Sequence, residues 1–108
     1  MEVLAQSLGQ WASARAFQAL GPPAERHGSW QVWFHRLAEL DRFVSVGATG
    51  VRGAYEVELS AGAEDGALYT RRLVAQLHTG PAGFEDPAFL EELREAFERA
   101  MDAAERLS

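Results

Sequence analysis

Between Tyr55 and Ser60 the chain alternates without a break: Tyr55, Val57 and Leu59 are apolar, while Glu56, Glu58 and Ser60 are polar. A period of two over this length describes a strand with one buried and one solvated face. Towards the C-terminus the period changes. Leu90, Leu93, Phe97, Ala100, Ala104 and Leu107 recur at alternating spacings of three and four, which gathers them into one stripe of a helix. A chain carrying both periods has a strand face and a helix stripe to bury, and packing one on the other yields an α+β domain.

Composition bounds that domain. The 108 residues, 47% of them hydrophobic, suit one core, so residues 1–108 are read as a single α+β domain. Cysteine is absent, which excludes a disulfide framework, a thiolate nucleophile and any Cys-based metal site. The core must hold the fold alone or with a partner chain. No apolar run approaches the roughly 18 residues of a membrane span, and the N-terminus lacks the basic-then-apolar pattern of a secretory signal. A cytoplasmic location and no membrane partner are expected. All ten basic residues are Arg, and Lys, Asn and Ile are missing, a bias that a GC-rich, bacterial coding sequence would produce.

The remaining elements follow from punctuation and pattern. Leu4, Leu8, Trp11, Ala12, Ala16 and Ala19 share a stripe that predicts a helix over Glu2 to Leu20. Phe17 projects off this stripe, so either a second surface covers it or the helix ends early. Gly21-Pro22-Pro23 stops any helix. Trp30 to Leu40 fits two templates. Trp30, Trp33, Phe34, Leu37 and Leu40 match a helix, whereas Trp30, Val32 and Phe34 alternate as in a strand. The strand reading, Trp30 to Arg36, is preferred, although the connector Leu37 to Asp41 lacks the usual turn residues.

Arg42 to Gly47 and Ala54 to Ser60 flank a glycine-punctuated segment, Gly47 to Gly53, read as a hairpin connection. Gly62 to Gly66 reads as another turn, and Leu68 to Leu77 as a last strand with Tyr69, Leu73, Ala75 and Leu77 on its more apolar face. The sheet is thus an antiparallel meander of three to four strands, flanked by an N-terminal helix and a long C-terminal helix. Asp86 stands at the N-cap position of that second helix with Pro87 at its first turn. Glu95 with Arg99 and Asp102 with Arg106 have the i,i+4 spacing of ion pairs.

Few residues have the spacing that chemistry requires. His27, His35 and His78 have no close-spaced ligand partner, so no metal and no cofactor are expected. The glycine segment lacks the Gly-Lys-Ser/Thr and following helix of a phosphate loop, and no serine has a nucleophile-elbow context. No catalytic residue is assigned, and an enzyme is disfavoured. Glu56 and Glu58 share one strand face; the ordinary use of that pair is a solvated face, with Arg72 of the next strand near Glu56. Arg71 falls by alternation on the face assigned to the core. It then either snorkels at the rim or clamps an anion between sheet and helices, with Tyr55 or Tyr69 completing a ligand site.

The aromatics are the other signal. As strand residues, Trp30, Trp33 and Phe34 cannot all face one side. Trp33 or its neighbours would project from the sheet beside Arg36, as an interface hot spot does. Trp30, Trp33, Phe34, Arg36 and Phe17 are therefore the candidate protein-interface residues. A net charge of -6 with dispersed arginines disfavours nucleic acid and suits a basic protein partner. The expectation is a small acidic, non-catalytic protein-binding module of the inhibitor, secretion-chaperone or adaptor kind. The alternative is a binder of a small or anionic ligand, or an enzyme, with a pocket between sheet and helices. A homodimer joined through Trp33 and Phe17 is a third arrangement.

Overall fold

The first helix ends sooner than its apolar stripe implies. In a computed structural model, which describes residues 2–66 and 68–107 and the side chains of all of these except Asp65, Leu68 and Tyr69, α1 spans Glu2–Ala14. Ala16 then adopts a left-handed φ of 59° and turns the chain into β1, Phe17–Ala19. The early end resolves the position of Phe17, which enters the sheet and is 1% exposed.

Five further strands follow: β2 Ala24–Arg26, β3 Ser29–Arg36, β4 Glu39–Val51, β5 Ala54–Asp65 and β6 Leu68–His78. All pair antiparallel, in the order β1-β3-β4-β5-β6, with β2 also on β3. The meander is confirmed, with six strands in place of the three or four expected. Trp30 to Arg36 is strand, and it turns through Leu37-Ala38 into β4. The glycine segment is a correction. β4 continues through Gly47 and Gly50 to Val51, and Arg52-Gly53 alone makes the turn, with φ of 49° and 83°. Positive φ at both central residues is the type I′ geometry that matches the twist of a hairpin. His27-Gly28, with φ of 53° and 80°, repeats it between β2 and β3.

A short 3-10 turn, Gly83–Glu85, leads into α2, Pro87–Arg106. The Asp86 carboxylate accepts a hydrogen bond from the Ala88 N–H at 3.0 Å, as the Asp-Pro signature predicts. Both helices pack on one face of the sheet. Leu4, Leu8 and Ala12 of α1 and Leu93, Phe97, Ala100 and Met101 of α2 are buried against Trp30, Val32 and Phe34, Val44 and Val46, and Val57 and Leu59. Phe97 meets Phe34 edge to face at 5.4 Å, a favoured aromatic geometry.

The charged side of α2 is used differently from its sequence spacing. Among the described residues, neither Glu95 with Arg99 nor Asp102 with Arg106 forms an ion pair. Arg94 instead pairs with Glu91, and with Glu98 at 3.4 Å. Arg15, just past α1, reaches Asp102 at 2.6 Å and Glu105 at 3.3 Å, tying the two helices together. The hydrogen bond to Asp102 raises the Arg15 pKa. The Arg42 guanidinium donates to the Leu107 carbonyl at 2.9 Å, fastening the end of α2 to β4.

Candidate functional site

The strand register sorts the helix-free face of the sheet into transverse rows. Ser29, Thr49, Glu56 and His78 form one row, and Gln31, Gly47, Glu58 and Gln76 the next. Trp33, Ser45, Ser60 and Leu73 form the third, and His35, Phe43, Gly62 and Arg71 the fourth. Two polar, acidic rows thus adjoin two rows with aromatic and apolar side chains. No helix among the described residues lies over them.

The apolar half is built from local steric fit. Phe43 is 0% exposed because its ring lies over Gly62, where a Cβ would come within 2.3 Å of the Phe43 Cζ. A glycine opposite an aromatic lets the ring fold flat across the strand pair. His35 lies beside it, with ring centroids 6.0 Å apart, and its Nδ1 bonds the Leu40 carbonyl oxygen at 2.9 Å. Ser45 and Ser60 are each 2% exposed, flanked in their row by half-buried Trp33 and by Leu73, which is 55% exposed. Leu20, Gly21 and Pro22 rise at the margin and, with Trp33, His35 and Glu64, line a depression of about 270 Å³.

In the acidic half, Gln76 takes the position expected of Arg72. Its Nε2 donates to the Oε1 of Glu56, and to the Oε1 of Glu58 at 3.4 Å. Neither carboxylate forms an ion pair among the described residues. The turn that pairs Asp65 with Leu68 sets Arg72 opposite Ala61, five positions along β5 from Glu56, and the register then shifts between Leu59 and Ser60, where Val74 is an extra residue of β6. Each residue on the N-terminal side of this bulge changes face relative to simple alternation. Arg72, opposite Ala61, is thus on the helix face, and Arg71, opposite Gly62, on the helix-free face. The assignment of Arg71 and Leu73 to the core face is corrected accordingly.

The bulge also separates the expected ligand residues. Tyr55 is half-buried on the helix face, stacked against Phe84 at 4.8 Å, with its backbone bonded to Thr79. Arg71 is across the sheet from it. Tyr69 pairs with Glu64 in register, and its side chain lies outside the described residues. Of the interface candidates, Trp30 and Phe34 are 4% exposed and Phe17 is 1% exposed, so all three are core residues. Arg36 is bound to Glu39 at 2.5 Å across the Leu37-Ala38 turn. Trp33 alone projects to the helix-free face.

Between α1 and the sheet lies a groove of about 460 Å³, bounded by Ala5, Gly9 and Ser13 on one side and Trp30, Phe34 and Leu37 on the other. None of its lining residues is charged. No group of three or more His, Asp or Glu among the described residues is placed to hold a metal. No described helix is long and apolar enough to cross a membrane.

Phe43, Gly62, Leu73 and Gln76 were not identifiable as site residues from sequence. Gly62 reads as turn punctuation, and only the register reveals it as the floor beneath an aromatic ring. No family model matches the chain, and no curated protein matches it in sequence.

Proposed function

We propose that this chain is a small acidic, non-catalytic protein-binding module of the adaptor, inhibitor or secretion-chaperone kind, and that it binds a basic protein partner through the helix-free face of its sheet. One observation carries the reading: Trp33 and Leu73, partly exposed, stand one row from Glu58 and two from Glu56, two carboxylates that form no ion pair among the described residues, Arg71 sharing only the rim of their depression. An aromatic anchor beside two acids that form no ion pair suits a segment presenting an apolar side chain next to Arg or Lys. Homodimerisation through this face would rest on Trp33, since Phe17 is in the core.

Affinity capture from the native cell lysate, read by mass spectrometry, tests this reading. A basic protein retained by the native chain should be lost with Trp33→Ala and with Glu58→Arg, both of which leave the helix-packed core intact. A captured set that neither substitution alters would refute it. The second reading, a small-molecule binder with a pocket between sheet and helices, draws on the groove beneath α1. Its uncharged lining suits an apolar ligand, and a stabilising thermal shift that disappears when Gly9→Leu narrows the groove would favour it.

A further inference from the structure

β6 ends the sheet, and no described strand pairs with its outer side. Along an unpaired edge, the N–H and C=O groups of every second residue point outward and can template another strand. The opposite edge is largely closed. β1 covers Phe34 to Arg36 of β3, and β2 covers Ser29 to Gln31. The β6 edge carries only the bulge at Val74 and two consecutive arginines.

Those arginines occupy both sides of the sheet at one point on its edge. Arg72 is on the helix face and Arg71 on the other. Beside Arg72, Arg106 of α2 joins Val74, Ala103 and Leu107 around a depression of about 300 Å³. Arg71, Arg72 and Arg106 are exposed, and none forms an ion pair among the described residues. The chain has 16 acidic residues against 10 basic ones, yet around one open edge these three cations form no ion pair among the described residues, Arg71 sharing only a depression with Glu56 and Glu58. β6 itself contains no carboxylate, so a second copy laid along it would add like charge to like charge.

We propose that the β6 edge binds an extended acidic segment as an additional strand. Two adjacent carboxylate side chains of that segment lie opposite Arg71 and Arg72, one on each side of the sheet. A neighbouring apolar side chain enters the depression by Val74 and Ala103, and Arg106 adds a second guanidinium to the carboxylate on the helix side. This edge adjoins the acidic face assigned to a basic partner, sharing Leu73 and Arg71 with its margin, but Arg72 and Arg106 lie on the helix side, so a variant of those two tests the edge without touching that face.

Fluorescence anisotropy with a labelled octapeptide, Val-Thr-Val-Glu-Glu-Val-Thr-Val, tests the proposal on the full chain. It should bind about tenfold or more tightly than the same peptide with a central Lys-Lys pair, and lose binding when its backbone amides are N-methylated. The double variant Arg72→Glu, Arg106→Glu should reverse the preference. Hydrogen exchange at the β6 amides should slow on binding, while β3 is unchanged. Equal binding of the two peptides, indifference to N-methylation, protection confined to other strands, or no saturation by about 1 mM peptide would each overturn the proposal. So would sedimentation showing a dimer that the peptide does not dissociate.

Discussion

On the helix face of the sheet, Phe97 lies edge to face with Phe34 beneath two packed helices. On the opposite face, Phe43 reaches the same 0% exposure with no described helix above it. The first burial is made by helix layers; the second includes a ring seated over a cross-strand neighbour that has no side chain. Layered packing surrounds a ring on all sides with atoms that cannot follow it when it is removed. A ring enclosed on the helix-free face is held by strands and loops, whose side chains can follow it further than a helix layer can. The two faces therefore bury equal rings by unequal means, and that inequality is measurable.

Truncation gives the largest effect. Phe97→Ala should lose about 3–5 kcal/mol in urea denaturation, the range for a buried aromatic whose cavity stays open. Phe43→Ala should fall at or below about 3 kcal/mol, because the cost depends on how far a site can collapse. Equal losses would break the comparison, and would mean that the helix-free face is packed as rigidly as the core. Gly62→Ala is next, at about 1–3 kcal/mol for overpacking. Its Cβ would meet the Phe43 ring, and also the Thr70 carbonyl oxygen at 2.5 Å. Adding Phe43→Leu should therefore recover only part of the loss, and full recovery would assign the whole strain to the ring.

How far these faces were legible follows from where the information lies in the chain. α2 announces itself locally, through Asp86 at the cap, Pro87 after it and a stripe of one period. β5 does so through its alternation, and both appear, although β5 runs on past Ser60 to Asp65, through the segment read as a turn from Gly62. The bulge at Val74 is set by pairing between β5 and β6, and no residue near it signals the extra position. One unseen residue was enough to exchange the faces of Arg71 and Arg72, and so to assign Arg71 to the helix side of the sheet when it lies on the other. The end of α1 was hidden for a related reason. Ala16 takes a left-handed φ that glycine or asparagine would ordinarily signal, while its Leu37 contact, an N–H···O bond of 2.9 Å, is supplied by a distant turn. Trp33 was legible as the projecting aromatic once β3 was a strand. Its partners Ser60 and Leu73 required the register.

The smallest effect concerns charge on the solvent side of α2, where neither burial mechanism operates. Arg94 hydrogen-bonds to Glu91 and holds its carboxyl below the usual glutamate range. A carboxyl depressed in the folded state contributes stability that is fully present above its unfolded pKa and is lost as pH falls through the lower, folded value. Acid should therefore remove a small increment from the native chain that Arg94→Met lacks. The two stability curves should converge at the acid end and separate slightly towards neutrality. Because the pair is exposed, salt should erase the separation. A separation that survives high salt would mean that Arg94 contributes through the packing of its stem on α2, and the polar side of this helix would then share the layered mechanism of its buried side.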